Sequence, residues 1–167
     1  LNVENSPAFR FQHLWNESTA KPDSNYFTIL VALSIMSEES FNILNLVNEY
    51  LKTIDSNNMR FWVKPHPAMS EKELKDGFDN QWPEEFIIIQ GLSSEYIPRS
   101  DIMISGMSSI CLESMSLGVP VIVVENLRGL SYNPIPEEVP QDLWRTCRTS
   151  NDIENEIEYY QNRSDDE

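Results

Sequence analysis

Two serines and a glutamate surround the turn in SGMSSICLESMSLGVPVIVV, residues 105–124, where an apolar run gives way to a helical pattern. Ser108 and Ser109 stand at the predicted helix start, where a serine can cap the helix and free backbone N–H groups favour an anion. Gly106 permits a tight turn or close approach by a ligand. Glu113 follows within a turn and a half, where its carboxylate can accept hydrogen bonds from a sugar diol. The alternative is that the serines only cap the helix and Glu113 is a solvated side chain.

A histidine between two prolines follows another apolar run, RFWV, in the sequence KPHP at residues 64–67. Pro65 and Pro67 restrict the backbone on both sides and hold the imidazole at the end of the predicted strand. We predict that His66 is the catalytic residue: it donates a hydrogen bond to a phosphate oxygen or, if the phosphate causes it to be protonated, neutralises a departing nucleotide. Lys64 is predicted to bind the same ligand. The alternative is that His66 is an ordinary surface histidine.

A third candidate, Ser34, follows the first apolar run, YFTILVAL, at residues 26–33. The next residues lead into a helix start, which could add further N–H donors. The carboxyl ends of parallel strands lie at one edge of a sheet. We therefore expect Ser34, His66 and the Ser108–Ser109 pair to share one cleft with Glu113.

These residues require a framework of alternating strands and helices, and the sequence predicts one. Helices are expected from an N-cap at Ser37, from near Ser70, after Ser109 and over 151–160, and they separate about six apolar strand patterns. The runs at 87–89, 102–104 and 121–123 are predicted to be central strands because they are apolar on both faces. The fold class is therefore α/β: a Rossmann-like three-layer sandwich with a mainly parallel sheet.

The expected organisation is one domain. Residues 1–25 are a polar leading segment, residues 26–162 form the Rossmann-like domain, and residues 163–167 are a polar tail. A long loop with three prolines is predicted over 125–141, and loops of this length in compact domains are usually functional.

Composition excludes several classes of function. Twelve Lys and Arg against 27 Asp and Glu give a net charge of −15, which would repel a nucleic acid backbone. Cys111 and Cys147 lie in apolar contexts and are predicted to be reduced thiols; with His13 and His66 they are too few for a zinc site, so no metal is expected. No membrane-spanning segment or export signal is predicted, and we expect a cytoplasmic protein.

The five glycines form neither a G-x-G-x-x-G sequence nor a Walker loop. Instead, KPHP and SDIMISGMSSICLESMSLGVPVIVV resemble the C-terminal, nucleotide-binding half of GT-B glycosyltransferases over about residues 26–160. The His-Pro and Ser-Ser motifs are similar to those of bacterial capsule and cell-surface polymer enzymes, such as polysialyltransferases and polyglycerol-phosphate transferases. One departure is Pro120, which stands where retaining GT-B enzymes often carry a second glutamate, seven residues after Glu113.

The resemblance implies a role in surface polysaccharide biosynthesis and a nucleotide-activated sugar or polyol donor, CMP- or CDP-linked rather than UDP-linked, with no separate cofactor. It places His66 and Ser108 or Ser109 on the donor phosphate and Glu113 near the ribose or donor sugar. It also implies that an N-terminal acceptor domain is missing and that this half is inactive alone. Two alternatives remain: a non-catalytic Rossmann-like interaction module, and half of a sugar-nucleotide epimerase.

Overall fold

The computed structural model describes residues 25–78, 81–126 and 135–164, and these form one parallel sheet with helices on both faces. The strand order is β3-β2-β1-β4-β5-β6, with every neighbouring pair parallel. The strands are β1 (Phe27–Ala32), β2 (Met59–Lys64), β3 (Phe86–Ile88), β4 (Ile102–Ser105), β5 (Val121–Val124) and β6 (Trp144–Cys147). The helices are α1 (Ser37–Leu51), α2 (Glu71–Gly77), α3 (Ser93–Tyr96), α4 (Ile110–Ser116) and α5 (Ser150–Ser164). The predicted fold class, a Rossmann-like three-layer α/β sandwich, is confirmed.

Two apolar cores cover the two faces of the sheet. On one face α1, α2 and α5 pack against alternate strand residues such as Ile29, Val31 and Ile104, all fully buried. On the other face α3, α4 and part of the segment before β6 pack against Leu30 and Met103. Because successive strand residues point to opposite faces, both halves of each apolar run find a core.

The order of the strands places a topological switch between β1 and β4. The connection after β1 enters α1 on one face, whereas the connection after β4 enters α4 on the other face. In open α/β sheets the crevice at such a point, beside the carboxyl ends of the strands, is where ligands bind.

One predicted central strand lies elsewhere. β3 is at the edge of the sheet and pairs only with β2, and Ile87 is 47% exposed, so the prediction that 87–89 is a central strand was wrong. The runs at 102–104 and 121–123 belong to β4 and β5, which are interior strands as predicted. A short apolar run can also form an edge strand. Here Phe86 and Ile89, at the two ends of the run, are buried although β3 has only one neighbouring strand.

The helix boundaries differ from prediction at two places. The N-cap of α1 is Met36 rather than Ser37, and no side chain caps this helix. α5 extends over Ser150–Ser164, longer than the predicted 151–160, and therefore includes the first two residues of the predicted tail. Residues 1–24 of the predicted leading segment, residues 165–167 of the tail and residues 127–134 of the proline loop lie outside the described residues.

The two cysteines are free and buried, which agrees with the prediction of thiols in apolar surroundings. Burial raises the pKa of Cys111 to about 11 and that of Cys147 to about 12, so both thiols stay protonated at neutral pH. Among the helices of the described residues, none combines the length and apolar character needed to cross a bilayer.

Candidate functional site

A cavity of about 190 Å³ opens at the carboxyl edge of the sheet. Its walls come from the segments that follow β3, β2, β1 and β4, which are four neighbouring strands. At about 4.8 Å per strand these ends extend over ~14 Å, the scale of a nucleotide. The lining residues are Ala32, Leu33, Lys64, Pro65, His66, Pro67, Ser93, Ser108, Ser109, Ile110 and Glu113.

Most of the predicted site residues therefore lie around one cavity. The structure brings together Lys64, His66, Ser108, Ser109 and Glu113, whereas Ser34 and Gly106 do not line the cavity.

Lys64 brings a positive charge to the cavity wall. It is the last residue of β2 and is only 8% exposed, and its Nζ donates a hydrogen bond to the Pro65 carbonyl at 3.3 Å. No carboxylate within the described residues pairs with this ammonium. Burial lowers the pKa of Lys64 because desolvation disfavours the charged form, and an anion in the cavity would oppose that shift.

His66 is held in a fixed orientation by its own turn. Its Nδ1 accepts a hydrogen bond from the backbone N–H of Ala68 at 3.1 Å, and its carbonyl accepts one from Met69 at 2.8 Å. An imidazole whose Nδ1 is an acceptor carries its proton on Nε2 when it is neutral. The KPHP turn therefore provides an Nε2–H donor for a ligand in the cavity that His66 lines.

The Ser-Ser turn is built from backbone contacts. The N–H groups of Cys111 and Leu112 donate to the carbonyls of Ser108 and Ser109, both at 3.1 Å, and Ser109 has helical dihedral angles at the N-cap position. No serine side chain caps α4, so the prediction of a hydroxyl cap was wrong. The turn closes through backbone hydrogen bonds rather than through a side-chain cap.

Ser34 stabilises the connection between β1 and α1 through two hydrogen bonds. Its Oγ accepts a hydrogen bond from the Met36 N–H at 3.1 Å, and its carbonyl accepts one from the Ser40 hydroxyl at 2.9 Å. The buried Ser40 thereby fixes the first turn of α1 to the end of β1. In this structure the Ser34 hydroxyl positions the backbone and lies outside the cavity.

Gly106 contacts a side chain that sequence reasoning did not select. A Cβ added to Gly106 would lie 2.6 Å from Cδ of Glu39, and closer still to its Oε1. Glu39 is half-buried in the first turn of α1, and its contact with Gly106 places its carboxylate beside the end of β4. The small size of Gly106 serves this contact.

Ser93 is the other residue that sequence reasoning missed. It begins α3 and lines the cavity from the β3 side, two residues after Gly91, whose φ of 97° suits glycine. The signal was available, because GLSS repeats the arrangement of a strand, a glycine and two serines that marked the turn after β4.

The site has an uneven distribution of charge. Lys64 ends β2 and His66 follows it, whereas the carboxylate of Glu113 lies in α4, with the serine pair just before that helix. Donors with positive charge suit a phosphate, and a carboxylate suits a hydroxyl group. The arrangement can therefore hold a molecule that carries both.

Comparison with solved structures shows what the fold is similar to. The C-terminal domain of a glycosyl transferase group 1 family protein (LpcC) from Francisella tularensis has a TM-score of 0.55 and 17% identity, over 95% of this chain and 86% of that one. S. aureus MnaA in its UDP co-structure has a TM-score of 0.55 and 14% identity, over 94% of this chain and 40% of MnaA. A putative UDP-N-acetylglucosamine 2-epimerase from Listeria monocytogenes has a TM-score of 0.57 and 14% identity, over 96% of this chain and 41% of that one.

These likenesses concern the fold alone. No protein-family model matches the chain, and no curated protein matches it. The chain spans about two fifths of MnaA and of the Listeria protein, whereas it spans most of the isolated LpcC domain. The chain thus has a Rossmann-like fold similar to that of the glycosyl transferase domain and of the two longer proteins.

Proposed function

We propose that this domain binds the nucleotide-activated donor of a GT-B-type glycosyltransferase. The observation that supports this most directly is Lys64, a nearly buried ammonium without a described carboxylate partner on the wall of a cavity at the carboxyl edge. A buried charge is costly unless it is paired, and an anionic ligand would provide the pair. His66 and the serine pair line the same cavity and supply neutral donors for the remaining phosphate oxygens.

The proposed chemistry is displacement of the nucleotide. An acceptor hydroxyl forms the new bond at the activated carbon, or at phosphorus for a polyol-phosphate donor, while the bond to the nucleotide phosphate breaks and its electron pair leaves with that phosphate. Lys64 and His66 stabilise the charge that develops on the departing phosphate. Glu113 accepts hydrogen bonds from the ribose or the donor sugar. The acceptor and the base that takes its proton belong to a separate domain in this proposal.

The substrate class and the biological role follow from the resemblance of the motifs. The His-Pro and Ser-Ser pair favours a CMP- or CDP-linked donor in the synthesis of a surface polysaccharide. The structural relative MnaA is seen with UDP, so the uridine nucleotides must be compared directly with the cytidine nucleotides.

A titration of the 167-residue chain tests the proposal. We expect CMP, CDP or UDP to shift NMR signals of residues around the cavity at concentrations on the order of millimolar, and the corresponding nucleosides to bind much more weakly because they lack phosphate. Lys64→Met should weaken nucleotide binding by about 10-fold or more, since a charged hydrogen bond contributes about 1.5–3 kcal/mol.

The matched control is Lys72→Met, which removes the same charge from an exposed position in α2. Equal losses in the two variants would assign the effect to overall charge and contradict the site. A folded wild-type chain without any phosphate-dependent shift would overturn the donor-binding function and favour an interaction module.

A second candidate is half of a sugar-nucleotide epimerase, because the Listeria structure with the same fold carries that description. Both candidates predict nucleotide binding, so the reaction must distinguish them. The protein that contains this domain would invert a sugar centre without any acceptor if it is an epimerase. It would consume the donor only with an acceptor if it is a transferase. Sugar NMR signals of the reaction mixture measure this difference.

A further inference from the structure

Glu39 lies near the edge of the sheet where a ligand of a Rossmann-like fold is expected, although it does not line the cavity itself. Its carboxylate lies against Gly106, the residue that follows β4, at the switch between β1 and β4. A Cβ at position 106 would overlap the Glu39 carboxylate where it now lies, so a larger residue would displace that carboxylate. The two residues are 67 positions apart in the sequence, so the contact depends on the tertiary fold.

The surroundings hold this carboxylate in place without neutralising it. Ser40, the next residue, donates to the Ser34 carbonyl and fixes the first turn of α1. Across residues 25–78, 81–126 and 135–164, the Glu39 carboxylate has neither a hydrogen-bond donor nor a cationic partner. A half-buried carboxylate without such partners can accept hydrogen bonds from a ligand with both of its oxygens.

The charge of Glu39 also restricts what can lie beside it. A phosphate next to Gly106 would meet a like charge, whereas Lys64 and His66 offer a favourable position on the β2 side of the cavity. A hydroxyl group can donate to a carboxylate. The neutral, hydroxyl-bearing part of a donor therefore fits the Glu39 position better than its phosphates do.

We infer that Glu39 recognises hydroxyl groups of the transferred sugar or polyol, while Glu113 serves the nucleotide part of the same donor. This inference rests on the proposed donor-binding function and adds a second carboxylate to it. Glu39 is then a specificity-determining residue: it distinguishes a complete donor from its nucleotide, and it contributes little to the binding of the nucleotide alone.

The test compares complete donors with their nucleotides on the 167-residue chain. The pairs are CMP-N-acetylneuraminic acid with CMP, CDP-glycerol with CDP, and UDP-N-acetylglucosamine with UDP. We expect the wild type to bind at least one donor more tightly than its nucleotide. Glu39→Gln should reduce that preference by about 10-fold, the loss of one hydrogen bond to a charged group, and should leave nucleotide affinity within about 2-fold.

Two further variants separate recognition from helix stability. Glu38→Gln removes the same charge from the adjacent, exposed position in the first turn of α1 and should keep the preference. Gly106→Ala keeps the Glu39 charge but displaces its carboxylate, and should lose the preference. NMR spectra of the free proteins identify any variant that has lost its fold. If either Glu39→Gln or Gly106→Ala is unfolded, the donor preference of the other one tests the inference.

The outcomes distinguish this inference from the function on which it rests. No nucleotide binding by the wild type overturns the proposed function, and the inference with it. Nucleotide binding without any preference for a complete donor overturns the inference alone. A preference that survives both Glu39→Gln and Gly106→Ala also overturns the inference alone.

Discussion

At the scale of single residues, the orientation of His66 determines which atom can act on a ligand. The Ala68 N–H occupies Nδ1, so only Nε2 remains as a donor toward the cavity. Replacement by Gln places an amide donor near the Nε2 position, whereas Asn places one near Nδ1. We expect nucleotide binding to weaken by about 1–3 kcal/mol in His66→Asn and His66→Ala, and by clearly less in His66→Gln. Calorimetric or NMR titration with CDP measures the three affinities.

The nucleoside provides the control for this series. Cytidine lacks the phosphate, so its weaker binding should be the same in the wild type and in all three variants. If His66→Gln loses as much affinity as His66→Asn, the Nε2 donor has no specific role, and the His66 ring contributes only by its shape.

Residue chemistry was predictable where a motif sits at the end of one strand. The KPHP turn and the Ser-Ser turn could be identified because each is contiguous in sequence and follows an apolar run. Glu39 could not be identified in this way. In sequence it is one of two glutamates at a helix start, and its importance arises from contact with Gly106. A contact between distant segments depends on strand order, which local patterns do not determine.

At the scale of elements, two serines at the starts of helices contrast in their structural roles. Ser70 forms a capping box with Glu73: the Glu73 N–H donates to the Ser70 hydroxyl at 3.2 Å, and the Ser70 N–H donates to the Glu73 carboxylate at 2.8 Å. Ser37 makes no such contact. We expect Ser70→Ala to lower the free energy of unfolding by about 0.5–2 kcal/mol. Ser37→Ala should change it by less than ~0.5 kcal/mol, as is usual for exposed positions. Urea denaturation followed by circular dichroism measures both.

The pH dependence of this cap has a definite sign. Hydrogen bonds from Ser70 lower the pKa of Glu73 in the folded state. The stabilisation is therefore complete above the ordinary pKa of a glutamate and is lost as the pH falls through the lowered value. The difference between the wild type and Ser70→Ala should accordingly narrow in acid. A difference that widens in acid would contradict the capping box.

The helices and strands were predictable from their periodic patterns, whereas the place of each strand in the sheet was harder to predict. Six strands, the helix after Ser70 and the fold class followed from the alternation of apolar runs and helical segments. The edge position of β3 did not, since FIII at 86–89 reads as an interior strand. An apolar run does not determine how many neighbouring strands a strand has, and in β3 it did not predict the exposure of Ile87 either.

At the scale of the whole molecule, the dominant property is a net charge of −15 on 167 residues. The pair Arg148–Glu125, at 2.5 Å between Nε and Oε2, and the pair Arg163–Asp142, at 3.0 Å, bring some charges together at the surface. Exposed pairs of this kind contribute little to stability, so most of the excess negative charge repels itself across the folded surface.

Screening should therefore stabilise the fold. When NaCl rises from about 0.01 M to about 0.3 M, the Debye length falls from ~30 Å to less than 10 Å and the long-range repulsion weakens. We expect the free energy of unfolding to rise by about 1 kcal/mol, which for a chain of this length corresponds to about 2–4 °C in Tm. Thermal unfolding of Lys64→Met in the same salt series is the control for chloride binding at the cavity. If the rise in Tm with salt is absent in Lys64→Met, the stabilisation comes from an anion bound at Lys64 and not from screening. If the Tm of the wild type falls with salt, attractive ion pairs outweigh the long-range repulsion, and the prediction is wrong.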